Sequence, residues 1–361
     1  MNKQYKDIII GLMSGTSLDG IDLCACNFKN SNNQIIPKII AAETFSYPTE
    51  WIQILKSAGN FNALNLIEAD RKLGAYFGDI INSFIQKHEL QPLLVSSHGH
   101  TIFHQPEKGF TFQMGSGAVI AAKTGVNTIC DFRSKDVALG GQGAPLVPIG
   151  DQLLFGNYAA CLNLGGIANI SFEKNEKRMA FDICPVNMAL NFYAEKLNLN
   201  YDDEGKIAAS GEVNINLLDE LNQLDFYHQF GPKSIGREWF ENHFLPILDE
   251  SEKQEKCGIP DLLRTIVEHI AIQHAQTMLH SNIKGPVLVT GGGALNKFLI
   301  NRIKAISNTD FTVPDISIVN YKEALVFAFL GWLYQNDSIN TLASATGSTK
   351  NSIGGALYKG H

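Results

Sequence analysis

A segment rich in glycine and hydroxyl residues, 11–22, carries the clearest chemical signal in the sequence. It reads Gly-Leu-Met-Ser-Gly-Thr-Ser-Leu-Asp-Gly-Ile-Asp and lies between two strand-like runs, which predicts a strand, a turn and a second strand. Backbone N–H groups and hydroxyls in such a turn bind phosphate oxygens, and the carboxylates of Asp19 and Asp22 are the hard oxygen ligands that Mg²⁺ prefers. An ordinary hairpin turn with solvated carboxylates is the alternative.

Two further glycine clusters follow strand-like runs. Gly165-Gly166, within residues 161–172, predicts a second hairpin, and Gly291-Gly292-Gly293 follows the apolar run 286–290. The triplet fits either a flat ring packed on backbone or a tight turn between strand and helix. The sequence contains neither G-x-x-x-x-G-K-[ST] nor a strand followed by G-x-G-x-x-G, which disfavours P-loop and dinucleotide-binding folds.

Histidines and cysteines give weaker signals. His98, His100 and His104 are spaced closely enough to suggest a metal site, but no cysteine or paired carboxylate is near them, so polar or sugar-binding roles are favoured over zinc. The six cysteines lack paired C-x-x-C spacing, which indicates reduced, buried thiols.

The elements that must position these residues alternate between helix and strand. Periodicity predicts helices over 67–88, 116–124, 186–197, 237–246 and 260–281, and strands over 93–96, 126–130, 160–164, 167–172, 178–183 and 286–290. The Gly- and Pro-rich run 138–148 is the best crossover between domains. The fold class is therefore α/β, with a first domain over 1–140 plus 340–361 and a second over 141–339.

Length, composition and charge fit two domains in a soluble protein. A single core for 361 residues is larger than usual, and 45% hydrophobic residues suffice for two. The net charge of −7 disfavours a general nucleic-acid or anionic-membrane binder. No secretion signal is evident, and the apolar run Ala324–Leu333 is too short to span a membrane, which predicts a buried helix and a cytoplasmic location.

Taken in order, the motifs resemble those of the anhydro-N-acetylmuramic acid kinases. The matching strings are GLMSGTSLDGID, SHGHTIFHQP, CDFRSKDVALGGQGAPLVP, NLGGIANI, PKSIGRE, VTGGGALN, Glu323-Ala324 and ATGS, and together they cover nearly the whole chain. The resemblance implies two related domains of the actin-like, ribonuclease-H-like type with ATP in the cleft between them. It also implies a cytoplasmic homodimer in cell-wall recycling.

The reaction that this resemblance implies opens the 1,6-anhydro ring of 1,6-anhydro-N-acetylmuramic acid with water and phosphorylates O6 from ATP. One carboxylate must then activate water at the anomeric carbon. Asp182, at a strand end before a helix, matches the family's general base. A helix cap or turn residue is the alternative role for an aspartate in that context.

The resemblance also assigns nucleotide and metal candidates. The first hairpin would hold the β- and γ-phosphates, with Mg²⁺ near Asp19, Asp22 and Glu323, although Glu323 is also favourably placed in a helix first turn. The triplet Gly291, Gly292 and Gly293 would bracket adenosine. The remaining candidates for the phosphates are Gly15, Thr16, Ser17, Leu18, Gly20, Ile21, Asn163, Gly165 and Gly166.

The sugar candidates are His98, Arg133 and Asn187. Arg133 leads for the lactyl carboxylate, ahead of Lys135 and Arg237, each of which is otherwise an ordinary salt-bridge residue. After Asp182 the family pattern is Thr-Gly-Pro-Gly-Asn, but here residues 183–187 read Ile-Cys-Pro-Val-Asn, which predicts a reshaped sugar wall. His100 and Phe103 likewise stand where the family has Gln and Arg.

Three functions remain open from the sequence. The retained carboxylates favour an active anhydro-muramic acid kinase. The altered 183–186 run favours a catalytically weakened nucleotide-binding sensor, and a kinase for another anhydrosugar such as levoglucosan is the third possibility.

Overall fold

Two compact units make up the chain in the structure, a computed structural model that describes residues 7–16, 18–31, 34–229, 231, 233–254 and 257–361. The first unit runs through Leu154 and resumes at Tyr321, and the second spans residues 155–320. Both units combine helices and strands, so the predicted α/β class is confirmed.

Most of the predicted elements are present, several of them longer than expected. The strands are β1 (Ile8–Ser14), β2 (Ile21–Ser31), β3 (Gln34–Phe45), β4 (Pro92–Gln105), β5 (Phe110–Met114), β6 (Asn127–Cys130), β7 (Ala160–Leu164), β8 (Ile167–Lys174), β9 (Lys177–Pro185), β10 (Val287–Thr290), β11 (Phe311–Thr312) and β12 (Ala356–Tyr358). The helices are α1 (Thr49–Ser57), α2 (Ala63–Lys87), α3 (Gly117–Thr124), α4 (Ser134–Ala138), α5 (Pro148–Leu154), α6 (Asn187–Glu195), α7 (Lys206–Ser210), α8 (Ile215–Asn222), α9 (Arg237–Trp239), α10 (Leu245–Lys253), α11 (Ile259–His280), α12 (Lys297–Ser307), α13 (Ile316–Gln335) and α14 (Ala343–Thr346).

The two units share one strand order. In the first, β1, β2 and β3 pair antiparallel in sequence, β4 joins β1 in parallel and β6 joins β4 in parallel. In the second, β7, β8 and β9 repeat the antiparallel series, while β10 joins β7 and β11 joins β10 in parallel. Strands β5 and β12 add antiparallel pairs to β4 and β6. Both glycine hairpins therefore connect the first two strands of a sheet.

Strand β1, inside the first sheet, is buried on both faces. Along β1, Ile8, Ile10 and Leu12 face a core that also contains Phe77 and Phe84 from α2. The opposite face is covered by α13, and a Cβ on Gly11 would lie 1.9 Å from the Ala324 carbonyl oxygen. Only glycine permits this approach, so the helix lies directly on the strand.

Helix α13 is twice as long as the predicted Ala324–Leu333, and Glu323 lies within it rather than at its start. The backbone is non-helical at Tyr321, with φ −119°, so Glu323 lies two residues beyond a kink in the helix. By length and composition α13 could cross a membrane, but residues 324–330 are at most 2% exposed. This burial identifies α13 as a core helix.

The second unit packs its sheet against α11. Leu162, Leu164 and Ile170 from the strands share a core with residues of α6, α8 and α12. Five of the six cysteines are buried and all six are free thiols, as predicted.

The expected domain boundaries at 140 and 339 differ from the observed ones. Helix α5 belongs to the first unit because a Cβ on Gly150 would lie 2.6 Å from Val326 of α13. Asp151 of α5 also forms a buried ion pair with Lys322, with 2.9 Å between Oδ1 and Nζ. The apolar part of α13, which lies on β1, likewise belongs to the first unit rather than to the second.

Candidate active site

The loop at residues 15–20 connects β1 to β2. Its turn is closed by a hydrogen bond of 3.2 Å from the Leu18 N–H to the Gly15 carbonyl, and Leu18 itself adopts a positive φ of 63°. Gly20 has φ 154°, and a Cβ there would lie 2.8 Å from Thr44 and 2.9 Å from the Phe45 carbonyl oxygen. Gly15 needs no positive φ. The described cofactor candidates here are Gly15, Thr16, Leu18, Asp19, Gly20, Ile21 and Asp22, whereas Ser17 lies outside the described residues.

Asp22 lies on the face of β2 that α13 covers, because Ile21 and Leu23 point into the opposite core. The Thr44 hydroxyl donates to its Oδ1 at 2.6 Å. Burial raises the pKa of Asp22, the Thr44 hydrogen bond opposes that rise, and Asp19 adds to it. Within the described part of the chain no other hydrogen bond reaches this carboxylate, so one oxygen remains available to a ligand.

Glu323 is the second carboxylate of this region. Burial raises its pKa, Lys322 lowers it, Asp22 raises it and Arg133 lowers it. Asp22 and Glu323 are therefore close enough for their charges to interact. Such like charges are stabilised by a cation held between them.

The carboxylates of Asp22 and Glu323 fit Mg²⁺ as part of a ligand set that other groups complete. Across the described ranges no group of three His, Cys, Asp or Glu converges into a metal site. Mg²⁺ typically takes one or two carboxylates and completes its octahedron with water and substrate phosphates. Asp22 and Glu323 match that donor set, and the exposed Asp19 lies next to it in the loop.

Arg133 is held rigidly within the first unit. Its Nη1 donates to the Gly143 carbonyl at 2.7 Å, and its Nε and Nη2 donate to Nε2 of His98 at 3.1 and 2.8 Å. Because Nε2 accepts, the proton of His98 lies on Nδ1, which donates to the Gly99 carbonyl at 2.9 Å. Burial lowers the pKa of Arg133 to about 10, and Glu323 partly reverses this. His98 thus orients Arg133, with both ring nitrogens already in use.

The other cations and histidines considered for ligand binding have separate structural partners. Lys135 donates to the Ile353 carbonyl at 2.9 Å, and Arg237 pairs with Glu241 on the surface at 2.8 Å. Nδ1 of His100 lies 2.8 Å from Ser14 Oγ, whereas Nδ1 of His104 lies 3.2 Å from Thr111 Oγ1. Each of these two histidines thus has a hydrogen-bond partner within the first unit.

Asp182 lies on β9 in the second unit and is held asymmetrically. Its Oδ2 accepts from the Ser234 hydroxyl at 2.8 Å and from the Ile235 N–H at 3.0 Å. Its own N–H donates to the Lys233 carbonyl at 2.9 Å. In the described portion of the chain no hydrogen bond reaches Oδ1, so that oxygen is open. Burial raises the pKa of Asp182, and the two donors oppose that rise.

The helix-cap alternative for Asp182 does not hold. Helix α6 begins at Asn187, its cap residue is Val186, and the N–H groups of Val186 and Met188 donate to the Gly166 carbonyl. The carboxylate of Asp182 instead bonds to residues 234 and 235. It is therefore free of a role in starting the helix.

The altered run after Asp182 lies inside the protein. Ile183, Cys184 and Val186 are at most 1% exposed and belong to the core of the second unit. These side chains therefore point into the core and do not themselves line a sugar-facing surface. Packing in the core explains why apolar residues are tolerated at these positions.

A second cradle forms in the second unit around Gly165 and Gly291. A Cβ on Gly291, whose φ is 81°, would lie 2.6 Å from Oδ1 of Asn163. A Cβ on Gly293 would lie 2.8 Å from Cβ of Leu164, whereas one on Gly292 would have 3.4 Å to its nearest neighbour. The backbone of the triplet thus lies against β7, as a surface for a flat ring requires, and Gly166 lies in the adjoining turn.

Asn187, predicted to bind sugar, belongs to this cradle. Its Nδ2 donates to the Leu164 carbonyl at 3.0 Å, and its backbone N–H donates to the Gly165 carbonyl at 3.1 Å. Its side chain also borders Gly292 and Gly293. Apart from the bond to Leu164, these contacts are with nucleotide candidates.

Sequence reasoning missed the residues that hold the carboxylates. Thr44 bonds to Asp22, while Ser234 and Ile235 bond to Asp182. The run Lys233-Ser234-Ile235 was visible within the PKSIGRE motif, but nothing in the sequence indicated which residue it contacts.

Comparisons with known proteins identify the family of the chain. The chain matches the model of the family described as Anhydro-N-acetylmuramic acid kinase over residues 7–360. The relative of that name from Pasteurella multocida is 36% identical over 99% of this chain and 98% of its own, and the one from Vibrio vulnificus strain YJ016 is 35% identical over 98% of both. Among solved structures, xylulose kinase from Lactobacillus acidophilus covers 98% of this chain and 94% of its own, at 10% identity and a TM-score of 0.45. The chain therefore belongs to the anhydro-N-acetylmuramic acid kinase family.

Proposed function

We propose that the protein hydrolytically opens the 1,6-anhydro ring of 1,6-anhydro-N-acetylmuramic acid and transfers the γ-phosphoryl group of ATP to O6. The products are N-acetylmuramic acid 6-phosphate, ADP and a proton. Membership of the family supports the kinase activity and the use of ATP. The observation that carries the hydrolytic step is the open Oδ1 of Asp182 opposite the two donors on Oδ2.

Asp182 acts as the general base in this reaction. Its Oδ1 accepts a proton from water, and the water oxygen forms a bond to the anomeric carbon while the bond from that carbon to O6 breaks. The electron pair of the broken bond stays on O6, which forms the new bond to phosphorus as ADP leaves. The proton on Asp182 is then released to solvent.

The first unit supplies the charged groups for phosphoryl transfer. Asp22 and Glu323 would hold Mg²⁺, with Asp19 near it, and the ion when bound neutralises charge on the phosphates. The loop at 15–20 would meet the β- and γ-phosphates. Arg133, oriented by His98 and Gly143, would bind the lactyl carboxylate, and its fixed guanidinium loses little side-chain entropy when it does so.

The second unit supplies the remaining nucleotide contacts. Asn163, Gly165 and Gly166 would meet the phosphates, and Gly291, Gly292 and Gly293 would bracket adenosine. The location of Asn187 favours a role in shaping this nucleotide surface over direct sugar binding. The burial of residues 183–186 removes the observation that favoured a weakened sensor.

The test is an incubation of the protein with Mg-ATP and 1,6-anhydro-N-acetylmuramic acid in water enriched in ¹⁸O, with products identified by mass spectrometry. The expected product gains one phosphate and one water, and the label lies on the anomeric carbon rather than on the phosphate. Parallel incubations contain levoglucosan or N-acetylmuramic acid. Phosphorylation of levoglucosan alone would replace this proposal with the anhydrosugar alternative, and ATP binding without any product would favour a sensor.

A further inference from the structure

Residues 233–235, the strap, hold Asp182 in place through three hydrogen bonds. Its Lys233 carbonyl accepts from the Asp182 N–H, and its Ser234 hydroxyl and Ile235 N–H both donate to Oδ2. Backbone and side chain of Asp182 are thus held by three consecutive residues.

The strap is anchored by its lysine. Nζ of Lys233 donates to the Phe226 carbonyl at 2.9 Å and lies 4.1 Å from the centre of the Phe226 ring. It also lies 5.8 Å from the ring centre of Tyr227. A cation over an aromatic face is stabilised by the ring quadrupole, more strongly when it is partly desolvated.

The aromatic anchor is itself part of the core. Phe226 and Tyr227 are 6% and 4% exposed, and both pack against Trp239 at ring distances of 5.2 and 6.1 Å. Tyr227 also packs on His269, with 4.8 Å between ring centres. The lysine therefore connects the strap, in which Ser234 is exposed and Ile235 is buried, to a fixed point.

We propose that the strap is the positioning device of the catalytic base: Ser234 and the Ile235 N–H bind Oδ2 of Asp182, leave Oδ1 to receive the proton of water, and are held there by Lys233. This inference rests on the proposed role of Asp182. Neither Ser234 nor Lys233 takes part in bond making. Both act through the orientation and basicity of the carboxylate.

The electrostatics give this proposal a measurable consequence. A carboxylate that accepts two hydrogen bonds favours its charged form, so removal of one donor raises its pKa. The pKa of Asp182 responds to burial and to these two donors. The ionisable residues on the strap and on the two adjoining strands are Lys233, Lys177, Arg178, Cys184, Glu173 and Lys174, and none of them is a cause of that shift. Burial lowers the pKa of Lys233, and Cys184 opposes this.

The test compares Ser234→Ala with Ser234→Thr, which keeps the hydroxyl. The alanine variant is expected to move the acid limb of the kcat/KM profile upward by about 0.5–1 pH unit, because Asp182 stays protonated to higher pH. The threonine variant should keep the wild-type limb. Nucleotide affinity and the unfolding midpoint should stay unchanged in both variants.

Lys233→Met tests the anchor, with Lys233→Arg as the conservative partner. Loss of the cation should lower kcat about tenfold with little change in the KM for ATP, and arginine, which also stacks on aromatic rings, should restore most of it. An alanine variant whose pH limb coincides with that of the wild type would overturn the role of Ser234. Equal losses in the methionine and arginine variants would overturn that of Lys233.

A second readout keeps this inference separate from the proposed reaction. The pKa of the Asp182 carboxyl is measured by ¹³C NMR of aspartate-labelled protein, with Asp182→Asn to assign the signal. If the wild type forms no product with any sugar, the proposed function fails, while an increase in this pKa in Ser234→Ala would still support the strap. No increase would overturn the strap whatever the activity.

Discussion

The hairpins of the two units occupy the same place in the same strand order but carry different chemistry. In the first unit residues 15–20 separate the strands, with Asp19 among them and Asp22 just beyond. In the second unit only Gly165 and Gly166 separate the strands, and the turn has no ionisable side chain. The carboxylate of the second unit, Asp182, lies instead one strand further along, on β9.

The source of the hydrogen bonds differs in the same way. Asp22 is held by Thr44, its direct neighbour in the strand pairing of β2 and β3. Asp182 is held by the strap, which lies outside the sheet. A carboxylate whose donor lies on the paired strand suits a metal, which needs constant geometry. A base held by a loop can have its basicity changed without disturbing the sheet.

Replacement of Asp182 by asparagine tests this division with the largest expected effect. Asparagine keeps the shape but cannot accept the proton of water, so turnover should fall by about 10²–10⁴-fold. Nucleotide affinity, measured by calorimetry, should remain within about twofold. Asp219→Asn, on the exposed surface of α8 in the same unit, serves as the control and should keep full activity. Substantial turnover in Asp182→Asn would remove Asp182 from its role.

Replacement of Asp22 by asparagine tests the other side of the comparison. The loss of one carboxylate from the proposed metal pair should raise the Mg²⁺ concentration needed for half-maximal activity by about 10–100-fold. The acid limb that reports Asp182 should not move. Thr44→Val leaves the carboxylate in place and should have a smaller effect. An unchanged Mg²⁺ requirement in Asp22→Asn would show that the first unit's carboxylates do not hold the metal.

The sequence predicted the parts of this comparison that local patterns encode. Apolar runs interrupted by glycine predicted both hairpins. The alternation of apolar and polar residues predicted the strand that contains Asp182. The strap contact joins residues that are 52 positions apart, and no local pattern specifies such a partner. The run 183–186 was misread because β9 has a bulge at Ile183, between the pairs Ala168–Cys184 and Asn169–Asp182, so this strand departs from simple alternation. Helix α13 was cut short because Asn320, Lys322 and Glu323 interrupt the apolar pattern before Ala324.

The glycine triplet offers a matched pair within the second unit. Gly293→Ala would place a methyl 2.8 Å from Cβ of Leu164 and 3.0 Å from its carbonyl oxygen, so β7 or the triplet must move. The expected cost is about 1–3 kcal/mol in the free energy of unfolding, with weaker ATP binding. Gly292→Ala has 3.4 Å to its nearest neighbour, so it should keep the wild-type free energy of unfolding, but it too adds a methyl to the proposed adenosine surface and should weaken ATP binding. Wild-type ATP affinity in both variants would argue against the triplet as the adenosine surface.

The smallest expected effect concerns the free energy of unfolding at acid pH. The second unit buries His269 and His274 on α11, and burial lowers their pKa values to about 3 and about 4. The unfolded chain, whose imidazoles titrate near about 6.5, binds protons that the folded one does not. The free energy of unfolding is therefore highest above about pH 6.5 as far as these histidines determine it. As the pH falls toward 4, each histidine lowers it by about 1 kcal/mol per pH unit.

His274→Leu should remove one histidine's share of that slope. The Nδ1 of His274 bonds to the Ile270 carbonyl at 2.6 Å in its own helix, and its Nε2 has no hydrogen-bond partner among the described residues, so leucine should fold at neutral pH. Urea unfolding at pH 7.5, 6.0 and 5.0 measures the effect, with the exposed His243→Gln as control. The leucine variant should lose less stability between pH 6.0 and 5.0 than the control does. A buried neutral imidazole that becomes charged on unfolding must make the free energy of unfolding depend on pH. Equal losses of stability with falling pH in the two variants would therefore show that the acid sensitivity comes from other residues.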